Sequence, residues 1–255
     1  MNLASVLLAL ETSGKNGSVA ILQEHDGSFV CDMELLSTES GSAKTLAPAI
    51  EHLMAKNKIE MKSLCAIALP TGPGSFTGLR VGVATAKAMA FALRIPTVEI
   101  DTLDVIARQC PVASHSVHVI LDAYRGQVFA AEYSIRIIGE SQSIVRVSNT
   151  EILDIDVLLE RVTKQAQEAQ TIDLCGPGCD RVRKFLADLD IDRPEYVAEV
   201  AKRIQWIDGP QTIPKADTVA MLGLEKFQKG ILQEPFSLQP RYYRKSAAEE
   251  VAAKK

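Results

Sequence analysis

The sequence lacks most features of membrane, secreted or strongly nucleic-acid-binding proteins. No apolar run approaches the roughly 20 residues that a membrane span needs, and the first residues lack the basic region of a signal peptide. The five cysteines are scattered and odd in number, which argues against a disulfide framework and for a reducing cytoplasm. The net charge of −4 provides no overall attraction to nucleic acid. We therefore expect a cytoplasmic protein without a membrane segment that does not hold RNA by itself.

Convincing metal-ligand patterns are also absent. His115 and His118 lie three residues apart, but no third ligand is near them in the sequence. Cys175 and Cys179 flank one glycine turn, whereas a zinc site normally needs two such pairs. We interpret these two cysteines as small buried residues at a tight turn, and we expect no metal site in the chain.

A glycine-rich corner followed by a very apolar helix dominates the middle of the chain. Residues 66–69 form a short apolar run typical of a buried strand, and residues 70–74 break it with two prolines and two glycines. Ser75 can then cap a helix over residues 76–93. This helix has two apolar stripes and many alanines, so we expect one side to pack on the chain's own sheet and the other on a second protein.

The glycine corner itself leaves three interpretations open: a tight strand-to-helix turn, a partner contact or a nucleotide contact. A P-loop requires Lys and Ser or Thr after its last glycine, but Gly78 is followed by Leu79 and Arg80. A dinucleotide-binding spacing is absent as well. Ser75 does not fit the G-x-S-x-G elbow of hydrolases, because it follows Gly74 directly and Gly78 lies three residues after it, one more than the motif has.

One local pattern occurs twice along the chain. An apolar strand ends in Glu11 and returns after a glycine-containing turn, and a second apolar strand ends in Asp122 before the turn 123–126 and a returning strand. Such recurrence predicts two related halves. We expect an α/β protein with the two-lobed, duplicated fold of the actin, hexokinase and Hsp70 (ASKHA) superfamily.

The same pattern predicts the domain boundaries. The N-terminal lobe is expected over residues 1–101 and the C-terminal lobe over residues 102–215. A helix within residues 216–245 is expected to cross back and join the first lobe.

Three stretches resemble the TsaB (YeaZ) family. The longest runs from Gly72-Pro-Gly-Ser-Phe-Thr-Gly-Leu-Arg80 into Val81-Gly-Val-Ala-Thr-Ala-Lys87. Asp122-Ala-Tyr-Arg-Gly-Gln-Val-Phe129 is similar to the family's Asp-Ala-Arg-Arg-Gly-x-Val-Tyr, with Tyr124 and Phe129 as departures. The ending Pro240-Arg-Tyr-Tyr-Arg244 also matches the family's Pro-x-Tyr-x-Arg.

The resemblance implies a non-catalytic partner of the enzyme TsaD, which makes threonylcarbamoyladenosine at position 37 of transfer RNA. TsaD-type enzymes carry a His-x-x-x-His metal motif on their first helix, and the equivalent region, residues 41–46, contains no histidine. The chemistry would then belong to TsaD, while the ATPase TsaE acts through the complex and tRNA is contacted only indirectly. Without its partner, the chain is expected to form a homodimer through the same surface.

We expect the helices 43–56 and 76–93 to form the contact with TsaD or with a second copy, as a bundle with the partner's matching helices. The expected interface residues are Leu46, Ala47, Ile50, Leu53, Met54, Phe76, Leu79, Arg80, Val83, Ala84 and Lys87.

The alternative from a different class is a small-molecule kinase or ATPase of the ASKHA type. In that case the carboxylates of Glu11 and Asp122 would hold Mg²⁺, and Thr12, Ser13 and Arg125 would contact phosphate groups. The family usually has Asp where this chain has Glu11, and neither an acceptor base nor an adenosine pocket is evident. We therefore expect no cofactor on the isolated chain, with weak binding of ATP or ADP with Mg²⁺ as the alternative.

Overall fold

The computed structural model describes residues 6–37, 41–111, 116–138, 141–169 and 171–243. The strands are β1 Val6–Glu11, β2 Ser18–His25, β3 Ser28–Leu35, β4 Leu64–Gly72, β5 Thr97–Asp101, β6 Ser116–Asp122, β7 Gln127–Ile138, β8 Ser141–Arg146, β9 Glu151–Asp154, β10 Ile172–Cys175 and β11 Ile204–Ile207. The α-helices are α1 Ser42–Lys56, α2 Phe76–Leu93, α3 Thr102–Gln109, α4 Ile155–Ala169, α5 Cys179–Asp190, α6 Pro194–Arg203 and α7 Ala216–Gln228.

The chain divides into two compact units. Unit 1 contains Met1–Thr102 and Lys215–Lys255, and unit 2 contains Leu103–Pro214. α7 is thus the helix that returns from the end of the chain to unit 1.

Unit 1 is built on a five-stranded sheet in the order β3-β2-β1-β4-β5. The first three strands form an antiparallel meander, and β4 and β5 run parallel to β1. Successive side chains of β1 point to opposite faces of the sheet. Leu8 and Leu10 accordingly pack in the core with α1 and α2, whereas Leu7 lies against α7 near Gly223. The sheet is therefore covered by helices on both faces.

Unit 2 repeats this arrangement. Its sheet has the order β11-β10-β6-β7-β8, with β6, β7 and β8 antiparallel and β10 and β11 parallel to β6. β9 pairs with the first residues of β7, beside Gln127–Ala130, while β8 pairs with its last residues. The third position of the meander is therefore filled by two short strands. The matching strand order and direction confirm the prediction of a duplicated α/β fold.

The final helix expected within residues 216–245 occupies the first part of that range. α7 ends at Gln228, where Gly230 adopts a φ of 69°. The Gly230 N–H donates to the Phe227 carbonyl at 3.0 Å, and the Ile231 N–H donates to the Lys226 carbonyl at 2.9 Å. This pair of bonds is a Schellman ending, which only a left-handed residue allows.

Residues 229–243 follow α7 as a segment that contains the 3₁₀ turn Pro235–Ser237 and is here called the C-terminal strap. Gln233 forms a two-way backbone bridge with Thr97 of β5, and the Arg241 N–H donates to the Thr71 carbonyl at 2.8 Å. Leu238 between them is fully buried in the core of unit 1. The strap therefore belongs to the packing of unit 1.

α2 and the cysteines bear on two further expectations from the sequence. Within the described residues, α2 meets the length and composition criteria for a membrane-crossing helix, but a core helix also meets them, and α2 buries Leu79, Val83 and Ala86. The cysteine pattern predicted reduced thiols, whereas the structure joins Cys110 to Cys175 in a disulfide. Cys175 and Cys179 are both buried, as expected.

Candidate functional site

The glycine corner between β4 and α2 packs directly on the β1–β2 turn. A Cβ added at Gly78 would lie 1.9 Å from the Thr12 carbonyl oxygen, and one at Gly74 would lie 2.6 Å from the Ser13 carbonyl oxygen. The Ser75 N–H donates to that Ser13 oxygen at 2.8 Å, and the Ser75 hydroxyl accepts the Gly78 N–H at 3.2 Å. The glycines thus permit a backbone contact that a larger residue would prevent.

Glu11, at the end of β1, stabilises its own turn. Its side chain is fully buried, and Oε1 accepts the Ser13 N–H at 2.8 Å and also the Ser13 hydroxyl. Oε2 is 3.4 Å from the Gly14 N–H. Burial raises the pKa of Glu11 to about 7, and the bonds from Ser13 and Gly14 oppose that rise. Both oxygens therefore have partners within the turn.

The other predicted phosphate-contacting residues of unit 1 lie in the same turn. Thr12 and Ser13 are buried under the start of α2. The structure thus brings Glu11, Thr12 and Ser13 together, but as a packed turn whose polar groups bond to one another and to α2.

The equivalent turn of unit 2 is more open. Asp122 is half-buried, and its Oδ1 accepts the Tyr124 N–H at 2.7 Å. Tyr124, Arg125 and Gly126 all have positive φ, between 55° and 78°. The side chains of Tyr124 and Arg125 are exposed at the tip of this turn. Asp122 therefore also caps its own turn.

Among the residues that the structure describes, no group of three or more His, Cys, Asp or Glu side chains could hold a metal ion. His115, one member of the weak pair considered above, lies outside the described residues. His118 is buried on β6, and its Nε2 lies 2.8 Å from Oε1 of Gln165. Burial lowers the pKa of His118, consistent with a neutral ring in a core hydrogen bond.

Six of the eleven expected interface residues are part of the core of unit 1 and cannot contact a partner in this structure. Their burial corrects the prediction: the apolar face of α1 and the first stripe of α2 pack on the chain's own sheet. The six are Leu46, Ile50, Leu53, Met54, Leu79 and Val83, each at most 6% exposed. Ala47, Phe76, Arg80 and Ala84 are exposed, and Lys87 is half-buried.

Five exposed residues of α2 form one continuous stripe, here called the α2 outer face. It consists of Phe76, Arg80, Ala84, Ala88 and Phe91, which recur every three or four residues and so share one side of the helix. The interface predicted from the sequence contains the first three of these residues but neither Ala88 nor Phe91. The second apolar stripe of the helix, which contains Ala84 and Ala88, was the sequence signal for this exposed side.

The C-terminal strap adds aromatic side chains to both ends of the α2 outer face. Phe91 and Phe236 meet edge to face with ring centroids 4.9 Å apart, and they are 58% and 68% exposed. Phe76 and Tyr242 lie 5.2 Å apart, and the Arg80 guanidinium carbon sits 3.8 Å above the Phe76 ring. Sequence reasoning could not assign Phe236 and Tyr242, because their position depends on the path of the strap.

Large exposed aromatic residues in one continuous patch mark interaction surfaces, since monomers seldom leave such patches open. The duplicated sheets place the chain in the class of two-unit α/β proteins of the ASKHA type, and its exposed patch lies on a helix of unit 1. The family model described as "TsaD: tRNA N6-adenosine threonylcarbamoyltransferase" matches residues 37–250. The chain belongs to this family, and within it to the TsaB (YeaZ) proteins.

Two relatives illustrate the match. The chain is 24% identical over 245 residues to the tRNA threonylcarbamoyladenosine biosynthesis protein TsaB of Escherichia coli, covering 95% of this chain and 96% of that protein. It is 28% identical over 156 residues to the protein of the same name from Bacillus subtilis, covering 61% and 66%.

A solved structure supports the fold. The protein described as YeaZ from Pseudomonas aeruginosa superposes with a TM-score of 0.70 at 24% identity, covering 93% of this chain and 99% of that one. At this identity the likeness concerns the fold alone.

Proposed function

We propose that the chain acts in tRNA threonylcarbamoyladenosine biosynthesis as a non-catalytic subunit that binds and activates a TsaD-type enzyme. Its role would be to support threonylcarbamoyl transfer to adenosine 37 of tRNA. The observation that carries the proposal is the α2 outer face with its two aromatic pairs, together with the family membership.

The chemistry of the α2 outer face suits a protein partner. Interfaces are commonly anchored by aromatic and arginine side chains near their centre. Here two aromatic pairs and Arg80 frame the small residues Ala84 and Ala88, which would let a partner helix approach closely. The partner helices expected from the sequence would pack against this face, and Ala47 of α1 is exposed as well.

The proposal assigns the catalytic metal and the transfer step to the TsaD-type subunit. TsaE would act through the complex, and tRNA would contact this chain only indirectly, in the cytoplasm. A net charge of −4 agrees with such a role, because it supplies no general attraction for RNA.

The kinase or ATPase alternative gains no specific support from the geometry. Glu11 is fully buried, and its two carboxylate oxygens accept bonds from its own turn. Weak binding of ATP or ADP with Mg²⁺ remains a prediction that calorimetry can test. Micromolar binding that disappears in Asp122→Ala would favour the alternative.

The central experiment measures binding of the purified chain to the TsaD-type subunit of the same organism. Ala84→Asp places a charge in the middle of the α2 outer face, and we expect it to weaken complex formation while the protein stays folded. Lys184→Glu, an exposed charge reversal on α5 in unit 2, is the matched control and should bind normally. Normal binding by a folded Ala84→Asp variant would show that the α2 outer face is not the interface.

Substitutions at Ile50 or Val83 are unsuitable for that test, because both side chains are buried. An Asp at either position would place a charge in the core and unfold unit 1. Self-association of the isolated chain, measured by sedimentation, would show whether the expected homodimer uses the same face.

A further inference from the structure

Arg80 is exposed on the α2 outer face, where it lies beside two aromatic rings. Its guanidinium carbon lies 3.8 Å from the centre of the Phe76 ring and 5.8 Å from that of the Tyr242 ring. Its Nε donates to the Tyr242 hydroxyl at 2.9 Å. The guanidinium is thus fixed in orientation by one ring from α2 and one from the C-terminal strap.

No carboxylate among the described residues pairs with Arg80. Several other surface arginines do have such partners; for example, Arg183 bonds Asp208 and Arg241 bonds Glu99. Because Nε is already used, the two terminal nitrogens of Arg80 remain as donors. A fixed guanidinium with open terminal nitrogens suits a carboxylate, which it can bind through two parallel bonds.

The charge of α2 selects between possible occupants. The helix carries Arg80 and Lys87 and no Asp or Glu, although the whole chain has a net charge of −4. A second copy of this chain would bring the same two cations and no carboxylate from its α2. A partner helix with an acidic side chain between apolar ones would complement the face in both charge and shape.

We infer that Arg80 is the electrostatic anchor of the partner interface and that it receives a carboxylate from an apolar helix of the TsaD-type subunit. This inference rests on the proposed function and adds the chemistry of the partner. The strap takes part because Tyr242 completes the site. Tyr242 is positioned by the neighbouring Arg241 N–H bond to Thr71 and by the ion pair of Arg241 with Glu99.

The test measures the affinity of the full chain for the TsaD-type subunit as a function of salt. Arg80→Gln should weaken binding by about tenfold or more and flatten the salt dependence, because one desolvated ion pair is lost. Arg80→Lys should retain part of the affinity, since it keeps the charge but not the planar double contact. Lys184→Glu should match the wild-type chain.

A charge-reversal scan identifies the partner residue. Acidic residues on apolar helices of the TsaD-type subunit are changed to Lys one at a time, and one of these variants should restore binding to Arg80→Glu. Failure of every such variant to rescue a folded Arg80→Glu chain would contradict the inference.

The other outcomes are distinguishable. If the wild-type chain does not bind the TsaD-type subunit, the proposed function itself fails. If the wild-type chain binds and Arg80→Gln binds equally well, the assignment of Arg80 as the anchor is wrong, while the proposed function still holds. If Arg80→Gln abolishes self-association and leaves the heterocomplex intact, the face belongs to a second copy and the inference is overturned.

Discussion

The β4–α2 corner of unit 1 and the β10–α5 corner of unit 2 both pack closely against another part of the backbone, and both use glycines to do so. In unit 1, Gly74 and Gly78 let the helix start lie on the backbone of the β1–β2 turn. In unit 2, a Cβ at Gly176 would lie 2.3 Å from the Ile120 carbonyl oxygen, and one at Gly178 would lie 2.9 Å from the carbonyl carbons of Ile120 and Leu121. Glycine at these corners is therefore explained by close backbone packing in both units.

The helices that follow the two corners differ on their outward sides. α2 exposes alanines and two phenylalanines, and Arg80 there lies between aromatic rings. α5 exposes charged residues, and its Arg183 forms ion pairs with Asp180 and Asp208 beside Trp206. The shared corner is thus a feature of the fold, whereas the outward face of α2 is the feature that points to a partner.

The largest expected effect concerns the corner itself. Gly78→Ala should lower the free energy of unfolding by about 3 kcal/mol or more, because its Cβ would collide with a backbone oxygen. Gly178→Ala should cost less, about 1–2 kcal/mol, since its nearest atoms are farther away. Urea unfolding of both variants measures the difference. Gly27→Ala, which has open space but a φ of 78°, is the control and should cost about 1 kcal/mol. Equal losses at Gly78 and Gly27 would refute the close-packing explanation.

The next largest effect is the difference in stability between a variant at a buried residue of the strap, Leu238, and one at an exposed residue, Phe236. Leu238→Ala should destabilise the protein by about 3 kcal/mol, because a fully buried side chain is removed from the core. It should also weaken partner binding, since the position of Tyr242 depends on the strap. Phe236→Ala, at an exposed site of the same segment, should change stability by less than about 1 kcal/mol. Thermal and urea unfolding would show the contrast, and a stable Leu238→Ala variant would argue that the strap does not support α2.

The buried carboxylate of Glu11 allows a test by pH. The pKa of Glu11 is raised by burial to about 7 in the folded chain, so the folded state binds this proton more tightly than the unfolded state. Stability from this group is therefore present at low pH and is lost as pH rises towards 7. Wild-type protein should lose about 2 kcal/mol of unfolding free energy between about pH 5 and 7 relative to Glu11→Gln.

Urea unfolding of the two proteins across this pH range gives the measurement. Ser13→Ala is a useful companion, because the Ser13 hydroxyl bond lowers the pKa of Glu11 and its removal should steepen the loss. Parallel pH profiles for wild type and Glu11→Gln would mean that Glu11 does not titrate in this window.

The smallest effect concerns the aromatic pair at the end of α2. Phe91→Ala and Phe236→Ala should each change stability by less than about 1 kcal/mol, with a coupling energy of about 0.5–1 kcal/mol between them. Arg183 and Trp206 form the comparable surface contact in unit 2, with a distance of 4.5 Å. Only the Phe91 and Phe236 variants should also lose affinity for the TsaD-type subunit. An equal loss of affinity in Trp206→Ala would contradict the conclusion that the partner contacts the outward face of α2 and not that of α5.

Local sequence patterns were enough to predict the duplicated fold. The pairs of strands ending in Glu11 and Asp122 predicted two related meanders, and the observed sheets have the same order in both units. The prolines and glycines of residues 70–74, followed by Ser75, predicted where α2 begins. These signals are short-range, because turn formation and helix capping depend on neighbouring residues.

The burial of individual side chains could not be predicted as reliably. Ile50 and Val83 have the same apolar character whether they face the chain's own sheet or a partner, and the structure places both in the core. Two stripes of α2 were recognised, but hydrophobicity alone did not show which one stays exposed. Packing against β1 and β4 decides that question.

By itself, the sequence determined the class of fold, the family and the apolar nature of α2, since each depends on local patterns or on similarity. Only the tertiary structure decided that Phe236 and Tyr242 join the α2 outer face and that Cys110 meets Cys175. The physical reason is that each of these contacts joins residues far apart in the chain, and their meeting depends on the path of the whole backbone.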